Sequence, residues 1–253
     1  MNFLSWYNNL SKTLSSLRRA VNTKNFLINA TYTAAIIKAH FLDDVGKSTN
    51  NEILGLIKNT NVSFNGKLNS PNILSLTLFL IAYHDNEEAM NFILQKNTDS
   101  ESLARAASYI KDFCDDRISE TDYRSYNKGQ AILGIILNIF KKMKRLTFND
   151  RGLKLFLDVY FDNEEALKLI TVDSLRDVDS ESLYYVSYDF SEHLKLFRHL
   201  KSNILKPAEE VYKTMYETLI TNPSSAVFLQ TRPPLMKPLE KKSLKEKKPL
   251  KDS

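Results

Sequence analysis

The chain has few of the residues that disulfides, metal sites and strand-rich folds need. Its 253 residues include one cysteine, four histidines, six glycines and seven prolines. A single cysteine, Cys114, excludes an internal disulfide and a metal site built from cysteines. Tight turns draw on glycine and proline, yet residues 1–206 contain only Pro71. This scarcity of turn residues favours long helices.

Acidic residues and long apolar runs are also missing at particular places. The first 42 residues contain no Asp or Glu. The longest apolar run, Ala131–Phe140, is about half the ~20 residues of a membrane span and includes Asn138. The N-terminus lacks the apolar core of a secretory signal. We therefore expect a cytoplasmic protein, with import into an organelle or delivery into a host cell as alternatives.

The net charge of +5 comes entirely from the C-terminal end. Residues 231–253 carry eight basic and three acidic side chains, whereas residues 1–230 carry 27 of each sign. Four of the seven prolines also lie in 233–249. A segment of this composition buries too little apolar surface to offset its ordering entropy. Residues 223–253 are therefore predicted to form a disordered basic tail.

The most informative feature that the chain does have is a duplicated segment. Residues 76–93 and 153–170 are identical at 11 of 18 positions without a gap, and both contain Asp-Asn-Glu-Glu-Ala. Asp-Ser-Glu-Ser-Leu follows at 99–103 and again at 179–183, so the offset grows from 77 to 80 residues. Self-similarity in a fixed order indicates a repeated structural unit.

The spacing of apolar residues around these blocks predicts helices throughout the body. We predict an all-α fold: a helical-repeat array of about ten helices, solenoid-like or bundled. An N-terminal helical region (1–60) precedes two related four-helix units (71–146 and 149–221), and the tail (223–253) follows.

The repeated acidic residues lie where helices are predicted to begin. Asp85 and Asp162 are the predicted N-caps, and Glu88 follows Asp85 at capping-box spacing. A helical di-metal site would need Glu-x-x-His, which neither block supplies. No catalytic, cofactor-binding or metal-binding residue is predicted, although spacing along the chain leaves open an active site assembled in space.

Duplication without a catalytic constellation predicts a non-enzymatic protein that binds or scaffolds a protein partner. Tyr184 and Tyr188 lie off the apolar stripe of their helix and are predicted to be exposed contact residues. The alternative is binding of nucleic acid or an anionic membrane, through the acid-free N-terminal helix with Trp6 at the interface, or through the tail. The candidate contacts in the tail are Lys241, Lys242, Lys247 and Lys248.

The tail also resembles the polar, charged C-terminal export signals of bacterial type IV secretion substrates, with Leu250 close to its end. The resemblance covers about twenty residues and implies a secreted bacterial effector. A tail that only increases solubility is the other interpretation.

Overall fold

All regular structure in the described part of the chain is helical. The computed structural model describes residues 12, 14–19, 24–40, 44–61, 63–66, 71–115, 123–200 and 203–238. The predicted all-α array is confirmed. In chain order the helices are α1 (Lys24–His40), α2 (Asp44–Lys58), α3 (Pro71–Tyr83), α4 (Glu87–Gln95), α5 (Ser100–Asp115), α6 (Tyr123–Lys142), α7 (Asp150–Tyr160), α8 (Glu164–Leu167), α9 (Val172–Leu175), α10 (Ser180–Leu200), α11 (Leu205–Thr221), a 3-10 turn (Pro223–Ser225) and α12 (Ala226–Thr231).

The helices form two layers. The helices α1, α3, α5 and α7 pack side by side, and α10 comes next beside α7. In the second layer, α2 packs on α1, α6 on α5, and α11 on α10. The short helices belong to this second layer. Helix α4 lies beside α6, and α8 and α9 lie beside α11. Stacked helical pairs form layers of this kind in solenoids. The predicted boundaries of the two four-helix units stay a prediction.

A cluster of aromatic side chains holds the first acidic block on the core. The Phe79 ring lies 5.2 Å from Phe64 and 4.9 Å from Tyr83, measured between ring centroids. All three side chains are fully buried or nearly so. The Tyr83 hydroxyl donates a hydrogen bond of 3.1 Å to the Asn50 carbonyl in α2. The cluster therefore joins α3 to the helix that precedes it.

The second acidic block has a cluster of the same kind. The Phe156 ring lies 4.9 Å from Phe148 and 5.1 Å from Tyr160. The Tyr160 hydroxyl donates a hydrogen bond of 2.9 Å to the Leu133 carbonyl in α6. Because α6 precedes α7 as α2 precedes α3, the shared contacts include the helix before each block as well as the block itself.

The N-caps of the short helices lie one residue later than predicted. Asn86 and Asn163, not Asp85 and Asp162, accept the capping hydrogen bond, each 3.0 Å from the backbone N–H of Ala89 or Ala166. In the 99–103 and 179–183 blocks, the first aspartate does cap its helix. The carboxylate of Asp99 accepts from Ser102 N, and that of Asp179 accepts from Ser182 N.

After the second acidic block, the helical segment is divided into two short helices. Helix α8 ends at Leu167, and α9 begins after Thr171. Thr171 and Ser174 form a reciprocal capping box that starts the new helix. The Ser174 carbonyl then accepts a hydrogen bond of 2.8 Å from Phe148 N, which ties α9 to the loop before α7.

The prediction of disorder from residue 223 onward is wrong for 223–238. After α12, residues 232–238 have no regular secondary structure and run across α10 and α11 as a segment that we call the strap. Buried tyrosine hydroxyls fix it, because Tyr184 donates to the Pro233 carbonyl at 2.7 Å and Tyr212 donates to the Met236 carbonyl at 2.6 Å. Leu235 in the strap is buried. Paired backbone groups and apolar burial explain why this part of the proline-rich region is ordered.

Candidate functional site

The predicted contact residues have different environments. Tyr188 is 40% exposed, as expected, but Tyr184 is only 2% exposed. The exposure predicted for Tyr184 is therefore wrong, because the strap covers this side chain. Its neighbour Tyr185 is 42% exposed, and the Arg232 guanidinium lies 5.4 Å from its ring centroid. The exposed aromatic surface of α10 thus consists of Tyr185 and Tyr188.

The other candidate contacts lie outside the described residues. These are Trp6 in the N-terminal segment, and Lys241, Lys242, Lys247 and Lys248 in the tail. Their proposed roles stay predictions.

A surface groove lies between α4 and α6, and we call it the first groove. Met90 and Leu94 line it from α4, while Ile135 and Ile139 line it from α6. Each pair is four residues apart, which places both side chains on one face of its helix. Ile139 is 2% exposed, and the other three are half-buried. The groove therefore has an apolar floor that remains open to solvent.

The first groove continues past the end of α4. Leu94, Ile139 and Lys142 line both parts, which enclose about 650 Å³ and about 1360 Å³ of space open to solvent. Lys144 and Arg145 line the far end, and both are exposed. This end of the groove is basic.

The opposite end of the first groove carries a polar cluster. Lys38 forms an ion pair with Asp85 beside His84. Burial lowers the pKa of the His84 imidazole, and the Lys38 charge lowers it further. Burial opposes ionisation of Asp85, but its hydrogen bond with Lys38 holds its pKa below the usual value. Burial also lowers the pKa of Lys128. The Lys38–Asp85 pair thus ties α1 to the turn before α4.

The second acidic block lines a groove in the corresponding place, between α8 and α11. Glu164, Leu167 and Ile170 contribute to this second groove, which encloses about 1020 Å³. In the duplicated alignment they correspond to Glu87, Met90 and Ile93, each of which lines the first groove. The two blocks therefore turn equivalent faces toward equivalent grooves.

The remaining acids of the blocks hold neighbouring helices together. Glu88 forms an ion pair with Lys58 at the end of α2, and Glu165 forms one of 3.3 Å with Lys141 at the end of α6. Lys58 follows Ile57 and Lys141 follows Phe140, and both of these apolar side chains are buried in the core. These pairs again join each block to the helix before it.

A polar cluster ties α5 to α7. Glu101 accepts hydrogen bonds from Arg105 Nε at 2.9 Å and from Asn149 Nδ2 at 2.6 Å. Burial raises the pKa of Glu101, but these hydrogen bonds and the Arg105 charge outweigh it and lower the pKa overall. Arg105 is 3% exposed, and its Nη1 has no partner among the described residues. None of these three residues lines either groove, and their contacts are those of a structural ion pair.

A smaller cleft lies between α7 and α10. Lys154, Asp158, Asp189 and His193 line it, with about 470 Å³ of space open to solvent. Lys154 and Asp189 form an ion pair of 3.6 Å, and the His193 ring packs on Phe161 at 4.9 Å. Its lining contains no serine, threonine or cysteine, so a hydroxyl or thiol nucleophile is not brought beside His193 there.

The described residues provide neither a cluster of metal ligands nor a helix suited to a bilayer. Across 24–40, 44–61 and the longer described segments after them, no group of three His, Cys, Asp or Glu side chains is placed to hold a metal ion. Among the helices described, none combines the length and the apolar character that crossing a membrane requires.

The groove residues were not among the predicted contacts, although the sequence contained a signal for them. Met90 and Leu94, like Ile135 and Ile139, have helical spacing, but the same spacing also describes core residues. Only the placement of α4 beside α6 shows that these side chains form a floor open to solvent. No family model matches the chain, and neither does any curated protein or solved structure with which it was compared.

Proposed function

We propose that this protein is a non-enzymatic helical-repeat protein that binds a segment of a partner protein in the first groove. The observation that carries the proposal is the equivalent placement of the two duplicated blocks, each of which lines a groove on the same layer of the array. Helical solenoids build extended binding sites from repeated units that present equivalent surfaces.

The character of the first groove supports a protein ligand. Its floor is apolar, and its rim is polar and charged, which is the usual anatomy of a protein-binding surface. Between helices, such a groove accepts the apolar face of another helix. The second groove has Lys168, Lys206 and Glu210 in its lining, so its surface is more polar and makes a weaker candidate.

The roles of the repeated acids support a binding function over catalysis. Asn86 and Asn163 cap helices, and Glu88 and Glu165 form ion pairs with the preceding helix. General acids and bases usually have strongly perturbed pKa values and converge on one pocket. The repeated acids instead lie at two separate places and stabilise helix ends there.

Site-directed photocrosslinking tests the proposal. A benzoylphenylalanine at Asn138, an exposed residue of the first groove, should crosslink to a partner in the cell that makes this protein. The same group at Lys213 on the exposed face of α11 is the matched control. An adduct specific to position 138 supports the proposal. Equal adducts at both positions, or substrate turnover by the purified chain, would overturn it.

The alternative, nucleic-acid or anionic-membrane binding, depends on segments that the structure does not describe. It predicts that deletion of 239–253 weakens binding and makes the remaining binding less dependent on salt, since each phosphate contact adds to the salt slope. If the full chain binds neither RNA, DNA nor anionic vesicles at low salt, this alternative is rejected. Cytoplasmic location and delivery into a host also stay predictions.

A further inference from the structure

We infer that the first groove binds an amphipathic helix whose acidic residues face Lys142, Lys144 and Arg145. The inference rests on the proposed function and gives the chemistry of the partner segment. Three observations carry it: the two rows of apolar side chains, the basic end, and the excess of three cations over one carboxylate at that end.

The two apolar rows form a trough of the right kind for a helix. Met90 and Leu94 form one row, and Ile135 and Ile139 form the other, with Met143 continuing the second row. A helix of nine residues such as α4 is about 13 Å long, so the trough can hold two to three turns of a bound helix. Apolar side chains of that helix at positions i, i+3, i+4 and i+7 would lie between the rows.

The basic end determines the charge of the occupant. Lys142, Lys144 and Arg145 are exposed, and none forms an ion pair within the described part of the chain. Lys144 and Arg145 lie beyond the last residue of α6, so stabilisation of the helix dipole by a last-turn cation does not account for them.

The acidic residue in the lining of this basic end already has a structural role. The Asp99 carboxylate lines the same part of the groove and accepts a hydrogen bond of 2.6 Å from Ser102 N as the cap of α5. Three cations beside an apolar floor therefore favour a ligand with carboxylates at one end. The Glu87 carboxylate at the opposite end favours a ligand with a neutral or basic residue there.

This charge pattern favours a helix over nucleic acid or a lipid surface. Nucleic-acid sites follow a row of phosphates with many cations and stack bases on aromatic rings. The basic end has three cations, and the lining of the groove contains no Phe, Tyr or Trp. Acidic side chains on a helix would satisfy these cations while the apolar face covers the floor.

Fluorescence anisotropy with two synthetic peptides tests the inference. The first is a helix of about 14 residues with leucines on one face and four glutamates in its final turns. The second replaces these glutamates with lysines and keeps the leucines. The full chain should bind the acidic peptide at least about tenfold more tightly than the basic one at moderate salt.

Variants of the full chain locate the binding. Lys144→Glu with Arg145→Glu should weaken acidic-peptide binding about tenfold or more and favour the basic peptide. The control variant, Lys195→Glu with Lys213→Glu, makes the same change of net charge outside the first groove. It should leave the affinity for the acidic peptide within about twofold of that of the unchanged chain. Asn138→Trp, at an exposed helical position, should block both peptides without lowering the melting temperature.

Each outcome is decisive. Selective binding that the groove variants remove supports the inference. Equal binding of both peptides, no binding, or equal effects of the two double variants overturns it, as does binding of anionic vesicles that Asn138→Trp abolishes. If the inference fails while benzoylphenylalanine at Asn138 still crosslinks to a partner, the proposed function stands and only the chemistry assigned to the partner is wrong.

Discussion

The two acidic blocks share their first turn and differ beyond it. Asn86 has φ −108° and ψ 108°, and Asn163 has φ −107° and ψ 110°, with the same capping hydrogen bond. After that turn, α4 continues to Gln95, whereas α8 stops at Leu167 and a second short helix begins at Val172. Identical residues thus give identical local structure, and the three additional residues of the second copy are accommodated where identity ends.

The surfaces beside the two blocks differ more than their cores do. Both blocks have a Phe–Phe–Tyr cluster whose ring distances agree within a few tenths of an ångström. In the grooves, however, Asn91 of the first block corresponds to Lys168 of the second, which forms ion pairs with Glu164 and Glu165. Packing constrains the core positions, whereas surface positions are free to acquire a separate binding role.

The corresponding helices α5 and α10 are covered by different parts of the chain. Glu101 in α5 forms hydrogen bonds with Asn149 at the start of α7, while its counterpart Glu181 in α10 pairs with Arg232 of the strap at 3.4 Å. Tyr184 occupies the position of Ala104 and fills the space under the strap. The strap therefore covers α10 at the place where α7 covers α5.

The largest expected effect concerns the aromatic clusters. Phe79→Ala and Phe156→Ala should each lower the free energy of unfolding by about 3–5 kcal/mol, because both rings are fully buried. Denaturation with urea measures both. Leu74→Ala, at a residue 48% exposed, is the control and should cost less than about 0.5 kcal/mol. If one phenylalanine costs less than about 1 kcal/mol, the two clusters do not have equivalent roles.

A smaller effect is expected where α7 approaches α5. A Cβ on Gly152 would lie 2.9 Å from Asn149 Oδ1 and 3.3 Å from Glu101 Cα. Gly152→Ala should therefore destabilise the chain by about 1–2 kcal/mol despite the better helix propensity of alanine. Gly134→Ala is the matched control, since its Cβ would meet nothing within 4 Å. It should raise the melting temperature, and a rise for both variants would reject the close approach.

Replacement of either buried tyrosine should change the free energy of unfolding with the same dependence on pH. Tyr83→Phe and Tyr160→Phe each lose one hydrogen bond to a carbonyl and should cost about 1 kcal/mol at pH 7. Burial raises the pKa of both hydroxyls above the ordinary 10, so the folded state keeps a proton that the unfolded chain releases.

The stability that each tyrosine contributes is therefore complete below pH 10 and is lost as the pH rises above 10. The deficit of each variant should shrink by up to about 1.4 kcal/mol per pH unit in that range. Urea denaturation at pH 7, 10 and 11 measures this. A deficit that is constant with pH at one tyrosine only would separate the two clusters.

The smallest expected effect concerns the caps. Asn86→Ala and Asn163→Ala should each cost about 1 kcal/mol, because each removes an N-cap. Asp85→Ala loses an exposed ion pair with Lys38 and should cost a few tenths of a kcal/mol. Asp162→Ala is the matched control and should change the melting temperature least. A larger effect of either aspartate than of its neighbouring asparagine would contradict the assigned caps.

Repeat patterns and helical spacing predicted the helices, but they could not predict which side chains are buried by residues distant in the sequence. The capping residues were predicted one position early because both Asp and Asn are good caps and only backbone angles distinguish them. Disorder was predicted for residues 223–253 because composition shows a shortage of apolar residues, whereas Leu235 within 223–238 is buried in the hydrophobic core. The predicted exposure of Tyr184 was wrong for the same reason, because Pro233 of the strap, which accepts its hydrogen bond, lies 49 residues later in the sequence.

The order of residues along the chain was enough to establish the helical class and the duplicated blocks, because helix periodicity depends on neighbours within about one turn. The packing of helices against one another selected which apolar rows became core and which became the floor of a groove. Met90 and Ile135 have the same helical spacing as core residues, and only the placement of α4 beside α6 leaves these two side chains half-buried on the floor of the groove.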